Sequence, residues 1–123
     1  MKRIILAPAL LFAATVAVHA EMLDVLDARV KSEPGSGAPG VMVYFSATAG
    51  EILERLTREN IGKTVRLELN GRAVLSPVVT GPITNRYIFL SNLGPDLAER
   101  LASDIMKSGA LEMIVPGPPP ARQ

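Results

Sequence analysis

The chain has 123 residues, with 13 lysine and arginine side chains against 12 aspartates and glutamates, one histidine and no cysteine. This length supports one domain, and the near-zero net charge argues against a nucleic-acid-binding protein, which would carry a basic stripe. Without cysteine, the chain can form no disulfide, no thiolate zinc site and no thiol nucleophile.

The first 20 residues have the order of regions that is typical of a secretory signal peptide. Lys2 and Arg3 give a positive start, residues 4–18 carry no charge, and Ala20 ends a small-residue cleavage pattern. We therefore predict cleavage after Ala20. The alternative is an uncleaved membrane anchor, but the apolar stretch is shorter than the ~20 residues that span a bilayer.

Cleavage would change the chemistry that the chain has available. It would remove His19, the only histidine, and leave 11 basic residues against 12 acidic ones in residues 21–123. The mature chain would then lack both residue types most used for proton transfer, thiol chemistry and transition-metal binding. We therefore predict that it is not an enzyme, has no catalytic or metal site, binds no cofactor and contains no transmembrane helix.

Alternating apolar and polar residues predict two strands at the start of the mature chain. Leu26, Ala28 and Val30 alternate with charged residues, and the alternation returns over residues 41–45. Residues 33–40 between them are rich in glycine and proline and could be an interdomain linker. Because the alternation resumes immediately, we prefer a hairpin loop.

A helix is predicted over about residues 49–60. Thr48 and Glu51 have the spacing of a capping box at its start. Leucine and isoleucine then recur at helical spacing, with charged residues on the opposite side. Gly62 supplies the left-handed residue that commonly ends a helix.

A tight hairpin is the strongest local signal in the chain. Apolar residues alternate with charged ones over residues 64–69, and residues 72–79 return as the partner strand. Between them, Asn70 and Gly71 tolerate the positive φ angles of a type I′ turn. Pro77 has no N–H for a ladder, so it marks an edge strand or a bulge.

The two-residue turn also predicts which residues face each other across the hairpin. In an uninterrupted ladder, Leu67 would lie opposite Val74, and Val65 would lie opposite Ser76. The face that carries Val65 and Leu67 is predicted to be core.

The C-terminal part is predicted to add two strands and a second helix. The strands cover residues 87–90 and 111–115, and the helix begins at Pro95 and buries Leu97 in its apolar stripe. The tail over residues 116–123 starts with a proline-rich run that we expect to stay out of the sheet. We prefer a mobile terminus to a motif for proline-reading domains.

Together these elements predict an α+β fold, in which a mostly antiparallel sheet has two helices packed on one face. The predicted organisation is a signal peptide over residues 1–20, one domain over residues 21–115 and a proline-rich mobile tail over residues 116–123. The sequence contains no internal repeat.

Four segments in order carry a resemblance to a known family. They cover residues 57–63, 70–79, 97–102 and 107–111. In this order and spacing they resemble SecD, the membrane subunit that assists the bacterial protein-export channel, in its first periplasmic region including the head subdomain. The resemblance extends upstream and covers about residues 24–115, so it implies a SecD head-like fold.

The matched positions have structural reasons and bring no catalytic set with them. The resemblance implies structural roles for Asn60, Gly62, Lys63, Asn70, Gly71, Pro77, Gly109, Ala110 and Leu111. The chain departs from the family over residues 82–89, where the family has a glycine-rich turn, and at residues 111–113. These departures put the surface of the head in question, and not its core.

The resemblance implies a non-catalytic periplasmic domain that contacts exported polypeptide or Sec-channel partners as an accessory of protein export. The chain lacks the membrane helices with which the family is thought to couple proton movement to pulling. A free sheet edge can accept an extended chain as an added strand. We predict this edge at Arg72, Val74 and Ser76, with Arg86 and Tyr87 nearby.

Two other functions stay open. The first is a stand-alone envelope interaction module that kept this fold but has one other protein partner and no general affinity for unfolded chains. The second is an enzyme with a carboxylate-only site. The acidic residues fit helix caps and solvated helix faces, and without histidine or cysteine the enzyme is the least favoured of the three functions.

Overall fold

The computed structural model of the chain describes residues 18–116. Its elements in chain order are β1 (Val18–Ser32), β2 (Pro39–Phe45), α1 (Ala47–Glu59), β3 (Arg66–Leu69), β4 (Arg72–Leu75), β5 (Tyr87–Leu90), α2 (Pro95–Ser108) and β6 (Ala110–Pro116). The predicted α+β fold, with two helices and a mostly antiparallel sheet, is confirmed.

The six described strands form one curled sheet in the order β4-β3-β6-β1-β2-β5, and every neighbouring pair is antiparallel. β1 holds the sheet together because residues 18–24 pair with β6 and residues 25–32 pair with β2. A bulge between Val25 and Asp27 lies at the changeover, and a bulge bends a strand. β4 and β5 are the edge strands.

The same bulge explains one wrong prediction. Ala28 is buried as expected, but Leu26 is 66% exposed and Val30 is 40% exposed. The sequence alternation placed all three on one half-buried face. The bulge inserts an extra residue at Leu26 and so breaks the two-residue period at that residue. Val30 lies beyond the bulge on the same face as Ala28, opposite Val41, so the bulge does not account for its exposure; it lies two residues before the end of β1.

Both helices cover the same face of the sheet, and the core lies between them and the strands. α1 packs on β1 and β2, while α2 packs on β1, β2 and β6. The core side chains with the least exposure, at 0–1%, include Leu23, Val41, Val43, Leu53, Leu56, Ala98, Ile105 and Leu111.

The N-terminus of α1 is capped by Ser46, whose Oγ accepts a hydrogen bond from the Ala49 N–H at 3.1 Å. The predicted capping box of Thr48 and Glu51 is therefore wrong. The helix begins directly after β2, where the Ser46 N–H donates to the Asp24 carbonyl at 3.1 Å. Thr48 is consequently already inside the first turn, and its side chain is exposed.

We expect Ser46→Ala to lower the free energy of unfolding by about 1 kcal/mol, because one N-terminal N–H of α1 loses its acceptor. Thr48→Ala is the matched control, and its effect should stay within about 0.5 kcal/mol. Urea denaturation followed by circular dichroism measures both values. A larger loss for Thr48→Ala than for Ser46→Ala would contradict the observed cap.

The turn between β3 and β4 has the predicted geometry. Asn70 and Gly71 have φ angles of 53° and 83°, and a type I′ turn requires positive φ at both central residues. The register beyond the turn differs from the prediction. Leu67 faces Leu75, because a bulge at Val74 adds one residue to β4.

The pairing continues past this bulge in a shifted register. Thr64 forms an isolated bridge with Val78, and the Val65 N–H donates to the Pro77 carbonyl at 3.0 Å. The predicted pair of Val65 with Ser76 is therefore also wrong, because the bulge displaces every later residue. Pro77 lies at the interruption of the ladder, as predicted.

α2 begins at Pro95, and Gly109 follows it in the left-handed region with φ 75°. Ala98, Leu101, Ala102 and Ile105 are buried, but Leu97 is 46% exposed. The prediction for Leu97 is wrong because each residue turns a helix by about 100°. Leu97 therefore lies beside the buried stripe and faces a groove next to β4.

The ends of the described region pair with each other, since residues 18–20 of β1 lie opposite residues 114–116 of β6. Pro116 thus belongs to β6 and not to the predicted tail. A proline is tolerated at a strand end. Residues 1–17 and 117–123, with most of the signal peptide and of the tail, lie outside the described residues. Cleavage after Ala20 stays a prediction. No helix within residues 18–116 is long and apolar enough to cross a membrane.

Candidate functional site

A cleft with a volume of 440 Å³ lies between the two edge strands of the curled sheet. Val65, Leu67 and Met113 contribute core side chains to it, β5 lines one side, and residues 77–85 after β4 line the other. None of the described residues that line this cleft is charged. The cleft therefore offers apolar surface to a ligand.

β5 also offers main-chain hydrogen-bonding groups. Within residues 18–116, β5 pairs only with β2, and the Phe45 N–H donates to the Arg86 carbonyl at 2.9 Å. Main-chain groups of successive residues in a strand point to alternate sides. Counting from Arg86, the N–H and C=O groups of Tyr87 and Phe89 point away from β2, along the free edge.

Two aromatic side chains of β5 lie beside the cleft, on the face of the sheet that carries Met42 and Tyr44. The Phe89 ring lies against Gly40, where an added Cβ would come within 2.4 Å of the Phe89 Cζ atom. Only glycine permits this close approach. The Tyr87 ring packs on Tyr44 with a centroid distance of 5.8 Å, and Tyr87 remains 39% exposed.

A buried hydroxyl group fixes the opposite side of the cleft to α1. Thr57 is 1% exposed, and its Oγ1 donates to the Leu53 carbonyl at 2.7 Å while it accepts from the Ile83 N–H at 2.9 Å. Asn60, 5% exposed, closes the helix by donating its Nδ2 hydrogen to the Leu56 carbonyl at 2.7 Å. The end of α1 is therefore a fixed support for the cleft.

Main-chain bonds from the next residues hold the same segment. The Gly62 N–H donates to the Val79 carbonyl at 2.7 Å, and the Val79 N–H donates to the Lys63 carbonyl at 2.9 Å. With the bond from Val65 to Pro77, these contacts lay residues 77–79 along the residues that follow α1. Gly62, Lys63 and Pro77, for which the resemblance implies structural roles, thus position one side of the cleft.

The other residues for which the resemblance implies structural roles lie outside the cleft. Asn70 and Gly71 form the β3–β4 turn, as described above. The Gly109 carbonyl accepts from the Val25 N–H at 2.9 Å, which ties the end of α2 to the bulge in β1. Ala110 and Leu111 begin β6, where Leu111 is buried opposite Leu23.

A second groove, which we call the α2–β4 groove, has a volume of 480 Å³. It is lined by Leu69, Asn70, Arg72, Ala73, Val74, Leu93, Leu97, Arg100, Leu101, Asp104 and Lys107. Unlike the cleft, this groove combines an apolar surface with three cationic side chains and one acidic side chain.

The five predicted contact residues do not form one patch. Arg72 and Val74 line the α2–β4 groove, whereas Tyr87 lines the cleft. Ser76 lines neither, and the stem of Arg86 lies against Gly50 of α1. The two edge strands therefore present two separate surfaces.

The sequence prediction missed most of the cleft. The sequence pattern predicts Val78 and Val79 in the partner strand of the hairpin, and residues 82–85 were treated only as part of the departure from the family. The available signal was the apolar Val78, three residues before the Gly81-Pro82 break, and Val78 is 57% exposed in the structure. An apolar residue in a loop is a common feature of a binding surface, although one such residue alone is weak support.

The pKa of Glu21 is shifted by two neighbouring side chains. Hydrogen bonds from His19 at 2.6 Å and from Arg55 at 3.3 Å to the Glu21 carboxylate lower the pKa of Glu21, with His19 the larger cause. This group belongs to β1 and α1 and does not line the cleft. Within residues 18–116, no three His, Asp or Glu side chains are grouped to hold a metal ion.

Comparisons with known proteins agree with the fold described above. The family model "SecDF, P1 head subdomain" matches residues 6–113. The protein translocase subunit SecD of Thermobaculum terrenum is 29% identical over 90 residues, which are 73% of this chain and 17% of that protein. The subunit SecDF of Thermus thermophilus is 30% identical over 88 residues, which are 72% of this chain and 12% of that protein.

A solved structure gives the same result at the level of the fold. It is a structure of SecDF, described as a membrane component that enhances protein export, and it matches with a TM-score of 0.61 and 28% identity. The match covers 80% of this chain and 45% of that chain. The chain therefore spans less than half the length of these proteins.

Proposed function

Because the chain belongs to the SecDF P1 head subdomain family, we propose that it acts in the periplasm as a non-catalytic accessory of protein export that binds polypeptide. The names of its relatives, which are protein translocase subunits, support the export role. The single observation that carries polypeptide binding is the uncharged cleft beside the free edge of β5.

The cleft fits an extended chain better than a folded surface. An added strand would use the outward main-chain groups of Tyr87 and Phe89, and such bonds depend little on the sequence of the ligand. The apolar walls would receive its apolar side chains. A charged side chain would lose its hydration there without gaining a partner, which costs several kcal/mol.

We expect this binding to be weak. Each apolar side chain that enters the cleft contributes about 1.5–3 kcal/mol, and the ordering of a flexible peptide offsets most of the gain from two or three such side chains. A dissociation constant on the order of 10–1000 µM follows. Weak binding suits an exported polypeptide, because the polypeptide has to pass the cleft and leave it.

The experiment measures fluorescence anisotropy with the protein expressed from its full chain and a neutral apolar peptide of about eight residues, somewhat longer than a typical strand. Val78→Glu places a charge at the cleft. Ile61→Glu is the matched control, since Ile61 is 52% exposed and does not line the cleft. We expect Val78→Glu to weaken binding about tenfold or more, and Ile61→Glu to leave it unchanged.

A second peptide tests the mode of binding. Methylating alternate amide nitrogens of the same peptide removes the donors that an added strand needs but keeps the side chains. We expect this peptide to lose measurable binding. Equal binding of both peptides, or equal effects of the two substitutions, would contradict the proposal. One saturable protein partner together with no affinity for unfolded chains would favour an envelope interaction module.

A further inference from the structure

The α2–β4 groove carries an excess of positive charge. Arg72, Arg100 and Lys107 are exposed there, and Asp104 is half-buried. None of these four residues takes part in an ion pair between residues 18 and 116. The groove therefore has three cations against one anion.

The same groove has an apolar surface between these charges. Leu69 and Leu101 are buried beneath it, Val74 and Leu93 are half-buried, and Leu97 is 46% exposed. A ligand that touched only the cations would leave Leu97 in water. The groove therefore fits a ligand that is both apolar and acidic.

The spacing of the charges suits a linear ligand. Arg100 and Lys107 are seven residues apart on α2, so they lie on one side of the helix and about 10 Å apart along its axis. In an extended chain, side chains on one face lie about 7 Å apart at i and i+2 and about 13 Å apart at i and i+4. Two acidic residues in such a chain can therefore reach both cations.

The strand beside the groove limits the length of that chain. Within residues 18–116, β4 pairs only with β3 and leaves its other edge free. It has four residues and a bulge at Val74, and both features restrict strand addition. Only a short segment can pair there, so the side chains have to supply most of the affinity.

We propose that the α2–β4 groove binds a short extended segment of a partner protein whose groove-facing side carries both apolar side chains and aspartate or glutamate. Its apolar side chains cover Leu97 and Val74, and its carboxylates lie beside Arg72, Arg100 and Lys107. This binding is distinct from that at the cleft, because the cleft has no charged lining and selects neutral segments.

The test uses the protein expressed from its full chain and a labelled peptide of about eight residues in which pairs of leucines alternate with pairs of aspartates, so that each face carries both residue types. A peptide of the same length with lysine in place of each aspartate is the matched probe. We expect binding of the acidic peptide only, with an affinity that falls as salt is raised because the charges are exposed. Arg100→Glu should weaken it about tenfold.

Lys31→Glu is the control substitution, since it changes the net charge equally but lies on β1 outside the groove. It should leave binding unchanged. Equal binding of both peptides, or equal loss with Lys31→Glu and Arg100→Glu, would overturn the proposal. Another outcome is that the protein binds phosphatidylglycerol vesicles or a DNA duplex more tightly than the acidic peptide and loses that binding in Arg100→Glu. This result would also overturn the proposal and would assign the groove to the vesicle or the duplex.

The two proposals fail independently. Arg100 lies outside the cleft and Val78 lies outside the groove. Arg100→Glu should therefore leave the neutral peptide bound, and Val78→Glu should leave the acidic peptide bound. If the unsubstituted protein binds one of the two peptides and not the other, only the proposal for the unbound peptide is wrong.

Discussion

Leu53→Ala is expected to lower the free energy of unfolding by about 2–5 kcal/mol, because it leaves a cavity where a leucine is now completely buried. Leu53 is 0% exposed and lies between α1 and the sheet. A domain of this size has about 5–15 kcal/mol of stability in total. The variant should therefore unfold at a much lower urea concentration, or be partly unfolded without urea.

Leu97→Ala is the matched control for this substitution, since it makes the same change in the other helix. Leu97 is 46% exposed, and we expect a loss of less than about 1 kcal/mol. Urea denaturation followed by circular dichroism gives both values. Equal losses would contradict the described packing and would support the sequence pattern, which placed both leucines in buried stripes.

Thr57→Val is expected to lower the free energy of unfolding by about 1–3 kcal/mol, because it leaves the Ile83 N–H without its acceptor. The substitution keeps the volume and the branching of the side chain and removes only the hydroxyl group. Thr57 is the one side chain of α1 that receives a hydrogen bond from the segment lining the cleft, within residues 18–116. Residues 80–84 should therefore become more mobile.

Two further measurements separate this local effect from general destabilisation. Amide hydrogen exchange should accelerate at Ile83 in Thr57→Val more than at core amides of β1, because the opening is local. Thr57→Ser keeps the hydroxyl group and should retain slow exchange at Ile83. Fast exchange at Ile83 in the serine variant, or uniform acceleration in the valine variant, would contradict the role assigned to this hydroxyl group.

Much of the fold could be predicted from the sequence because several elements have strong local determinants. The Asn70-Gly71 turn needs two residues that tolerate positive φ, and both have it in the structure. α2 begins at Pro95 as predicted. The strand over residues 87–90 also has the predicted limits.

The errors come from features that depend on partners distant in the sequence. The bulges at Leu26 and Val74 are set by the pairing of β1 with two strands and of β4 with β3. No local pattern marks an extra residue, so alternation gives the wrong face at that residue or the wrong register after it. The cap at Ser46 depends similarly on where β2 ends.

The candidate site was less predictable than the fold for the same reason. The sequence predicted a free edge at β4 and contact residues at Arg72 and Tyr87, but it could not show that the sheet curls. The curl brings β5 and residues 77–85 to the same cleft and leaves Arg72 in a different groove. A surface composed of two sheet edges requires the tertiary structure.

The central claim is that the cleft beside β5 contacts exported polypeptide. The most direct measurement replaces Tyr87 with a photo-crosslinking phenylalanine analogue in the full chain, in its native cell envelope, with the same analogue at Ile61 as the control. We expect adducts with many exported chains from position 87 and few from position 61. Equal adducts from both positions, or a single envelope protein at position 87, would contradict the claim.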